Sequence, residues 1–213
     1  MKYYPVFMDI NDKKCVVIGG GEVAARKVKR LLECGAQVSV VSPELHPELV
    51  TLKNDQRIFH ISSVYESKDI DGAAMIIGAT DDEEINAAVS QDASVKGIPV
   101  NIVDDPQKCD FILPSIVERG DLVIAIGTGG NSPALARHLR EELESRYGVE
   151  YEIFLRILGR LRSQMAKNAG AGRSWFDALI SSGILELIQK KDWEKVKKTV
   201  LEITGREVKI DIA

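Results

Sequence analysis

A glycine-rich turn between an apolar run and a helical pattern limits this chain to a small set of folds. Residues 14–18 are largely apolar, the sequence GGGEVA follows at residues 19–24, and a second apolar run occupies residues 37–41. This order predicts a βαβ unit with the G-x-G-x-x-A pattern of a dinucleotide site. Gly19 suits the tight turn, and Gly21 leaves room for a pyrophosphate. We therefore predict a bound dinucleotide. A glycine-rich turn that serves packing alone is the alternative.

The residue after the second strand bears on which dinucleotide is bound. An acidic residue that binds the adenosine ribose usually lies about 20 residues beyond the glycines. Here Ser42 takes that place, and Glu44 lies just beyond it. A serine hydroxyl can bond a ribose hydroxyl, although it excludes a 2′-phosphate less firmly than a carboxylate. No Lys or Arg follows at once to bind that phosphate, so we predict NAD rather than NADP.

Two further apolar runs extend the predicted sheet. Residues 73–79 form a continuous apolar run, as expected for a parallel strand that is buried on both faces. The run ends at Thr80, which we expect to line the nicotinamide, and at Asp81 and Asp82, of which at least one is expected to cap a following helix. A further strand is predicted at residues 98–103. Strands that alternate with helices favour a mostly parallel α/β sheet.

The pattern changes after residue 113. Residues 111–118 and 122–127 are β-rich and separated by a short turn, so a hairpin is predicted. A polar glycine-rich loop and an amphipathic helix at residues 134–146 follow. A hairpin with one helix is too small to bury its own apolar face, so we expect it to pair with a second copy in a homodimer.

The expected fold is therefore α/β. A Rossmann-type parallel-sheet domain occupies residues 1–113, a hairpin and helix dimerisation segment residues 114–148, and a small helical domain residues 149–213. Residues 3–10 are expected to form an edge segment or a lead-in strand.

Composition excludes several classes of protein. The net charge of −4 does not favour a nucleic-acid partner, and no apolar run reaches the ~20 residues of a membrane span. The start of the chain carries no apolar leader pattern. Three widely spaced cysteines suit a reducing cytoplasm, and the three histidines lack the spacing of metal ligands, so no metal site is expected.

Five motifs, in order, resemble the siroheme synthase N-terminal family of precorrin-2 dehydrogenases and sirohydrochlorin ferrochelatases. The resemblance covers essentially residues 1–148. The motifs read VIGGGEVA at residues 17–24, ATDD at 79–82, VNIVD at 100–104, FILPSI at 111–116 and GGNSPALA at 129–136.

The resemblance implies an NAD-dependent oxidation of precorrin-2 to sirohydrochlorin. For some members it also implies insertion of Fe(II) to give siroheme. It implies a homodimer whose interface is formed by the segment after the sheet domain. The methyltransferase domain of the fused, trifunctional form is not expected at this chain length.

The resemblance also implies roles for single residues. Asp104 matches the active-site aspartate of the family, and Thr128 falls where the loop of the family often carries serine. The remaining matches are contacts to NAD. Glu22 and Val23 match backbone contacts, whereas Pro43 and Glu44 match contacts near the adenosine ribose.

The chemistry expected of these residues follows from the reaction. Asp104, at a strand end, could accept a proton or hold a pyrrole nitrogen; a simple Asp-Asp-Pro turn is the alternative. Because the substrate carries many carboxylates, arginines are expected around it. The candidates are Arg119, Arg137, Arg156 and Arg160. Solvated helix faces are the alternative for these arginines.

Two other functions compete with this interpretation. Another NAD-dependent dehydrogenase of a small acid would need a catalytic His or Lys after the sheet domain, and none stands out. An NAD-sensing regulatory module would need an output surface such as a basic DNA-binding helix. The acidic balance of the chain does not favour one.

Overall fold

The computed structural model describes residues 2–165 and 174–210. The chain divides into two compact units, Met1–Leu113 and Pro114–Ala213. In the described part of the chain, no helix combines the length and the apolar character needed to cross a membrane.

The first unit is built on a five-stranded parallel sheet, which confirms the predicted fold class. The spatial order is β3-β2-β1-β4-β5, so β1 lies at the centre and the chain crosses over after β3. The strands are β1 (Lys14–Ile18), β2 (Gln37–Val41), β3 (Ile58–Ile61), β4 (Met75–Gly78) and β5 (Val100–Ile102).

Helices cover both faces of this sheet. They are α1 (Glu22–Glu33), α2 (Pro47–Asn54) and α3 (Glu83–Lys96). Because side chains alternate along a strand, Cys15 and Val17 of β1 join the cluster that contains α1 and α2. Val16 and Ile18 join the opposite cluster, with α3. The sheet is therefore the middle of three layers.

Local sequence explains where α3 begins and ends. The Asp82 carboxylate accepts hydrogen bonds from the backbone N–H groups of Glu84 and Ile85, at 2.9 and 3.0 Å. Gly97 ends the helix in the left-handed conformation, with φ of +67°. Asp82 is thus a helix cap, as expected for at least one of Asp81 and Asp82.

The segment before β1 is not a strand. Residues 3–10 pair with no strand of the described sheets, so the expected lead-in strand is wrong. Tyr4 and Phe7 are 87% and 76% exposed, and Ile10 is the residue of this segment that is buried in the core. A strand needs a neighbouring strand to pair with, and in the described sheets none pairs with residues 3–10.

The second unit begins with a hairpin, as predicted. Strands β6 (Ser115–Arg119) and β7 (Leu122–Ile126) pair antiparallel around a two-residue turn in which Gly120 has φ of +57°. Helix α4 (Pro133–Arg146) follows, capped by Ser132. The remaining helices share one apolar core and are α5 (Glu150–Met165), α6 (Ser174–Ser181), α7 (Ile184–Gln189) and α8 (Trp193–Thr204).

Candidate functional site

The glycine-rich turn lies where the sheet reverses its strand order. The Gly19 N–H donates to the Val41 carbonyl of β2 at 2.9 Å, and the Ala79 N–H donates to the Ile18 carbonyl of β1 at 2.7 Å. Gly19 has φ of +114°, and a Cβ there would lie 2.2 Å from the Ala79 carbonyl oxygen. Only glycine fits this position. Open α/β sheets bind their ligands at such a switch point, beyond the carboxyl ends of the strands.

Gly20 is also required, although sequence reasoning assigned it no role. A Cβ on Gly20 would lie 1.9 Å from the Glu44 carbonyl oxygen and 2.6 Å from the Ser42 Oγ. The Gly20 carbonyl accepts a hydrogen bond of 2.7 Å from the His46 N–H. The turn after β1 is therefore packed directly against the loop after β2. The run of three glycines was the signal that could have indicated this contact.

Helix α1 begins without a side-chain cap. Its N-cap is Gly21, at φ −80°, and a Cβ there would meet nothing within 4 Å. Within the described residues, no side chain accepts from the first amides of α1, which include those of Glu22 and Val23. Other helices are capped by His46, Asp82, Ser132 and Asp192. Uncapped amides at the positive end of a helix dipole, beneath open space, fit the pyrophosphate of a dinucleotide.

A cleft beside this turn brings together four of the predicted cofactor residues: Gly19, Ser42, Pro43 and Thr80. Its walls are mainly apolar and are completed by Ile18, Val41, Ser63, Val64, Tyr65 and Ile85. Thr80 is held from both sides: its Oγ1 accepts from the Asp82 N–H at 3.3 Å, and its carbonyl accepts from the Asn86 amide at 2.9 Å.

Asp104 lies two residues beyond the end of β5 and is exposed. Its φ of +62° is the left-handed conformation, which aspartate and asparagine adopt more readily than most residues. The loop that carries it is fastened to β5 at two points. The Asn101 side chain donates to the Phe111 carbonyl at 2.9 Å, and the Asp110 carboxylate accepts from the Val100 N–H at 3.1 Å. These two hydrogen bonds hold the loop that carries Asp104 against β5.

Cys109 is a third anchor of the same loop. Its Sγ accepts from the Ile102 N–H at 3.2 Å and lies 3.1 Å from the Asp105 carbonyl oxygen. Burial raises the pKa of this thiol, so it stays protonated and acts structurally. Sequence reasoning had treated Cys109 only as an isolated cysteine.

The neighbouring carboxylate, that of Asp105, makes its contacts within the turn. It accepts from the Gln107 N–H at 3.2 Å and pairs with the Lys108 ammonium at 2.7 Å. The Lys108 ammonium holds the pKa of the Asp105 carboxyl below its usual value. The turn interpretation of the Asp-Asp-Pro sequence therefore applies to Asp105. In the described part of the chain, the Asp104 carboxylate makes neither a hydrogen bond nor a salt bridge.

Lys27 of α1 lies within electrostatic range of Asp104. Burial lowers the pKa of the Lys27 ammonium, the Arg26 charge acts in the same sense, and the Asp104 charge opposes both. Val103, next to Asp104, packs on the same apolar cluster as Val28 of α1, which places both charges on one side of the sheet. Lys27 was not among the residues predicted from the sequence.

In the second unit, two predicted substrate residues make local structural contacts. The Thr128 hydroxyl donates to the Ser132 carbonyl at 3.0 Å and accepts from the Ser132 N–H at 3.3 Å, which closes the glycine-rich loop. The Arg119 guanidinium donates to the carbonyls of Glu118 and Glu144, at 2.7 and 3.1 Å. Arg119 thereby ties β6 to the last turn of α4.

The other three arginines differ in their surroundings. Arg137 is 76% exposed and pairs with Glu141 on the same helix, at 3.0 Å. Arg160 donates to the Lys209 carbonyl. Arg156 lies 3.4 Å from Glu152, and its buried Nε has no partner in the described structure. Arg156 and Arg160 line one small pocket, with Ile153, Ile157, Lys209 and Ile210. Within residues 2–165 and 174–210, no three His, Cys, Asp or Glu side chains form a group that could hold a metal ion.

Sheet topology, glycine-rich turn and uncapped helix together define a dinucleotide-binding protein of the α/β class. The comparison with known families agrees: residues 6–115 match the family described as "Putative NAD(P)-binding", and residues 119–146 match "Sirohaem biosynthesis protein central". The chain belongs to the siroheme synthase N-terminal family.

Individual proteins support this assignment. The chain is 44% identical over 173 residues, 81% of its length, to the siroheme synthase of Methylobacillus flagellatus. It is 37% identical over 203 residues, 94% of its length, to that of Thioalkalivibrio sulfidiphilus. It spans 37% and 42% of the lengths of these two relatives. A solved structure titled "SirC, precorrin-2 dehydrogenase" has the same fold, with a TM-score of 0.71 at 24% identity, covering 96% of this chain and 100% of that one.

Proposed function

We propose that this protein oxidises precorrin-2 to sirohydrochlorin with NAD as the electron acceptor. The observation that carries the proposal is the uncapped start of α1, which follows closely on Gly19, a residue that lines the cleft at the switch point, and which fits the pyrophosphate of a dinucleotide. The substrate is proposed from the relatives, which are siroheme synthases, and from the precorrin-2 dehydrogenase that shares the fold.

The oxidation removes two protons and two electrons, that is two hydrogen atoms, from the macrocycle. When bound, NAD supplies the acceptor for one hydrogen as hydride, and the second hydrogen leaves as a proton. The protein must therefore hold the cofactor and receive that proton. In our proposal the amides of Gly21, Glu22 and Val23 hold the pyrophosphate. Ser42, Pro43 and Glu44 border the adenosine, and Thr80 borders the nicotinamide.

Asp104 is proposed to receive the proton. Its carboxylate is exposed at a strand end, and the loop around it is fixed by Asn101, Cys109 and Asp110. A general base needs a free lone pair and a defined position. Asp105 also has a defined position, but its carboxylate caps the turn and pairs with Lys108, which lowers its pKa and makes it a weaker base.

Arginines are proposed to bind the carboxylates of the substrate. Arg156 is best placed among them, because its Nε is buried without a partner in the described structure and it shares a pocket with Arg160. Arg137 is exposed enough to reach a ligand, whereas Arg119 is occupied by two backbone carbonyls. Thr128 is proposed to contribute through the loop that its hydroxyl closes.

An anaerobic absorbance assay tests the function. Mixing the protein with precorrin-2 and NAD should give sirohydrochlorin and NADH in equal amounts, over many turnovers. Omitting either NAD or the protein supplies the control. Binding of NAD without any turnover of precorrin-2 would contradict the proposed enzyme and favour the NAD-sensing module.

We further propose a homodimer formed through residues 114–148. In β6, β7 and α4, all of which are described, only Val117 and Ala136 are buried, and Leu135 is 48% exposed. Because so few of its residues are buried, the segment needs a partner surface to cover its apolar side chains. Light scattering at micromolar concentration should report about twice the chain mass of 23.5 kDa. A monomer with full activity would contradict the proposal.

A further inference from the structure

We propose that Ser42 selects NAD over NADP because its hydroxyl hydrogen is already committed to a backbone carbonyl, which leaves Ser42 Oγ able only to accept. The inference rests on the dinucleotide site of the proposed function and names the atom that sets its specificity.

One hydrogen bond determines where the Ser42 hydroxyl donates its hydrogen. Ser42 Oγ lies 2.7 Å from the carbonyl oxygen of Glu44. A carbonyl can only accept, so the serine hydroxyl must donate its single hydrogen there. What Ser42 Oγ can still offer a ligand is its lone pairs. Ser42 is 9% exposed and lines the cleft, so a ligand can meet this oxygen there.

Surrounding contacts keep that hydrogen in place. The Glu44 carbonyl oxygen and Ser42 Oγ both occupy the space that a Cβ on Gly20 would need. The ring of His60, on β3, contacts the Ser42 carbonyl through Nε2 at 2.9 Å. Because the carbonyl only accepts, Nε2 carries the ring hydrogen. The His46 N–H bonds the Gly20 carbonyl on the other side of the loop. The loop is therefore clamped between β3 and the glycine-rich turn.

An acceptor at this point distinguishes the two cofactors. The adenosine 2′-hydroxyl of NAD can donate to Ser42 Oγ. The 2′-phosphate of NADP is ionised near neutral pH and offers mainly acceptors, so its oxygens would face the serine lone pairs. Among the described residues that line the cleft, none is Lys or Arg, and Glu44 adds a negative charge to the loop two residues after Ser42. Ser42 thus does what a ribose-binding carboxylate does elsewhere. Its discrimination is firmer than the sequence alone suggested, because the sequence does not show where the hydroxyl hydrogen points.

Calorimetric titration of the full chain tests the inference without relying on activity. The ligands are NAD, NADP and the 2′-deoxyadenosine analogue of NAD. We expect Ser42→Ala to weaken NAD binding by about three- to tenfold, the usual worth of one hydrogen bond, and to leave NADP binding unchanged or tighter. The preference for NAD should therefore fall by at least that factor. Ser62→Ala is the matched control, since the Ser62 hydroxyl also points at a loop carbonyl, that of Pro43 at 3.5 Å, but Ser62 does not line the cleft.

The analogue makes the test independent of how the variant folds. The parent protein should bind 2′-deoxy-NAD about three- to tenfold more weakly than NAD. Ser42→Ala should bind the two alike. Equal binding of both by the parent, or an unchanged NAD preference in Ser42→Ala, would overturn the inference and leave the proposed function intact. A parent protein that binds none of the three ligands would overturn the proposed function itself.

Discussion

Asp104→Asn should lower the rate of dehydrogenation by roughly 10²- to 10⁴-fold, the usual worth of a positioned general base. Asparagine keeps the shape of the side chain and removes the charge and the basic lone pairs. NAD affinity and thermal stability should change little, because the Asp104 carboxylate makes no hydrogen bond or salt bridge in the described part of the chain. Single-turnover formation of NADH from precorrin-2 and NAD measures the rate. Calorimetry measures the NAD affinity, and thermal unfolding measures the stability.

The backbone determines which substitution is informative. Asp104 has φ of +62°, a conformation that asparagine accepts and alanine resists. Asp104→Ala would therefore mix a loss of chemistry with a strained loop. Asp104→Asn leaves the loop and its anchors at Asn101 and Cys109 as they are, so a fall in rate reports on the carboxylate itself.

Asp105→Asn is the matched control. It makes the same chemical change one residue along, at a carboxylate that caps the turn and pairs with Lys108. Its rate should stay within a few-fold of the parent, with only a small loss of thermal stability, because the ion pair of Asp105 with Lys108 is partly exposed. A lowered thermal stability of Asp104→Asn together with its lost activity would instead favour a structural turn at Asp104.

The same variants separate the two activities of the family. If the parent inserts Fe(II) into sirohydrochlorin, Asp104→Asn should lower that rate as well, because insertion must release two pyrrole protons. Loss of insertion alone would leave the base of the dehydrogenation unidentified. Rates near those of the parent in both assays, from a folded protein, would remove Asp104 from the mechanism.

Sequence patterns predicted the parts of the fold that local chemistry determines. The apolar runs at β1, β2 and β4 and the Asp82 cap of α3 all lie where the patterns placed them. Helix α2 was not predicted, since it is short and buries only Leu49. The apolar residues 3–10 suggested a strand, yet a strand needs backbone partners, which a local pattern does not reveal.

In the candidate site, too, some residue roles could be predicted from the sequence and others could not. The glycine pattern and the start of α1 at Gly21 can be read from local sequence, whereas the need for glycine at Gly19 and Gly20 depends on two distant carbonyls, those of Ala79 and Glu44. Likewise, a threonine and an arginine in a sequence can suggest ligand contacts. Only the structure shows that Thr128 closes a loop and that Arg119 ties a strand to a helix.

Gly21→Asp should abolish NAD binding and leave the fold intact. A Cβ at Gly21 meets nothing within 4 Å, and φ of −80° suits any residue, so the protein can accommodate the new side chain. Aspartate is also a better helix cap than glycine, by a few tenths of a kcal/mol. Thermal stability should therefore be unchanged or slightly raised.

The same carboxylate would occupy the site of the pyrophosphate. It would accept the hydrogen bonds of the first α1 amides and place a negative charge within about 4 Å of the phosphates. That repulsion is worth about 4 kcal/mol near a protein surface, which weakens binding by at least about 100-fold. Calorimetry with NAD measures the loss, and the thermal unfolding curve shows whether the fold survives.

Gly159→Asp is the matched control for this variant. Gly159 lies in α5, has no positive φ, and a Cβ there also meets nothing within 4 Å, so the same charge is added at an equally open glycine. Its NAD affinity should equal that of the parent. If Gly21→Asp binds NAD as the parent does, the start of α1 is not the phosphate site. If Gly159→Asp loses binding to the same extent, the effect of Gly21→Asp comes from added charge and not from its position.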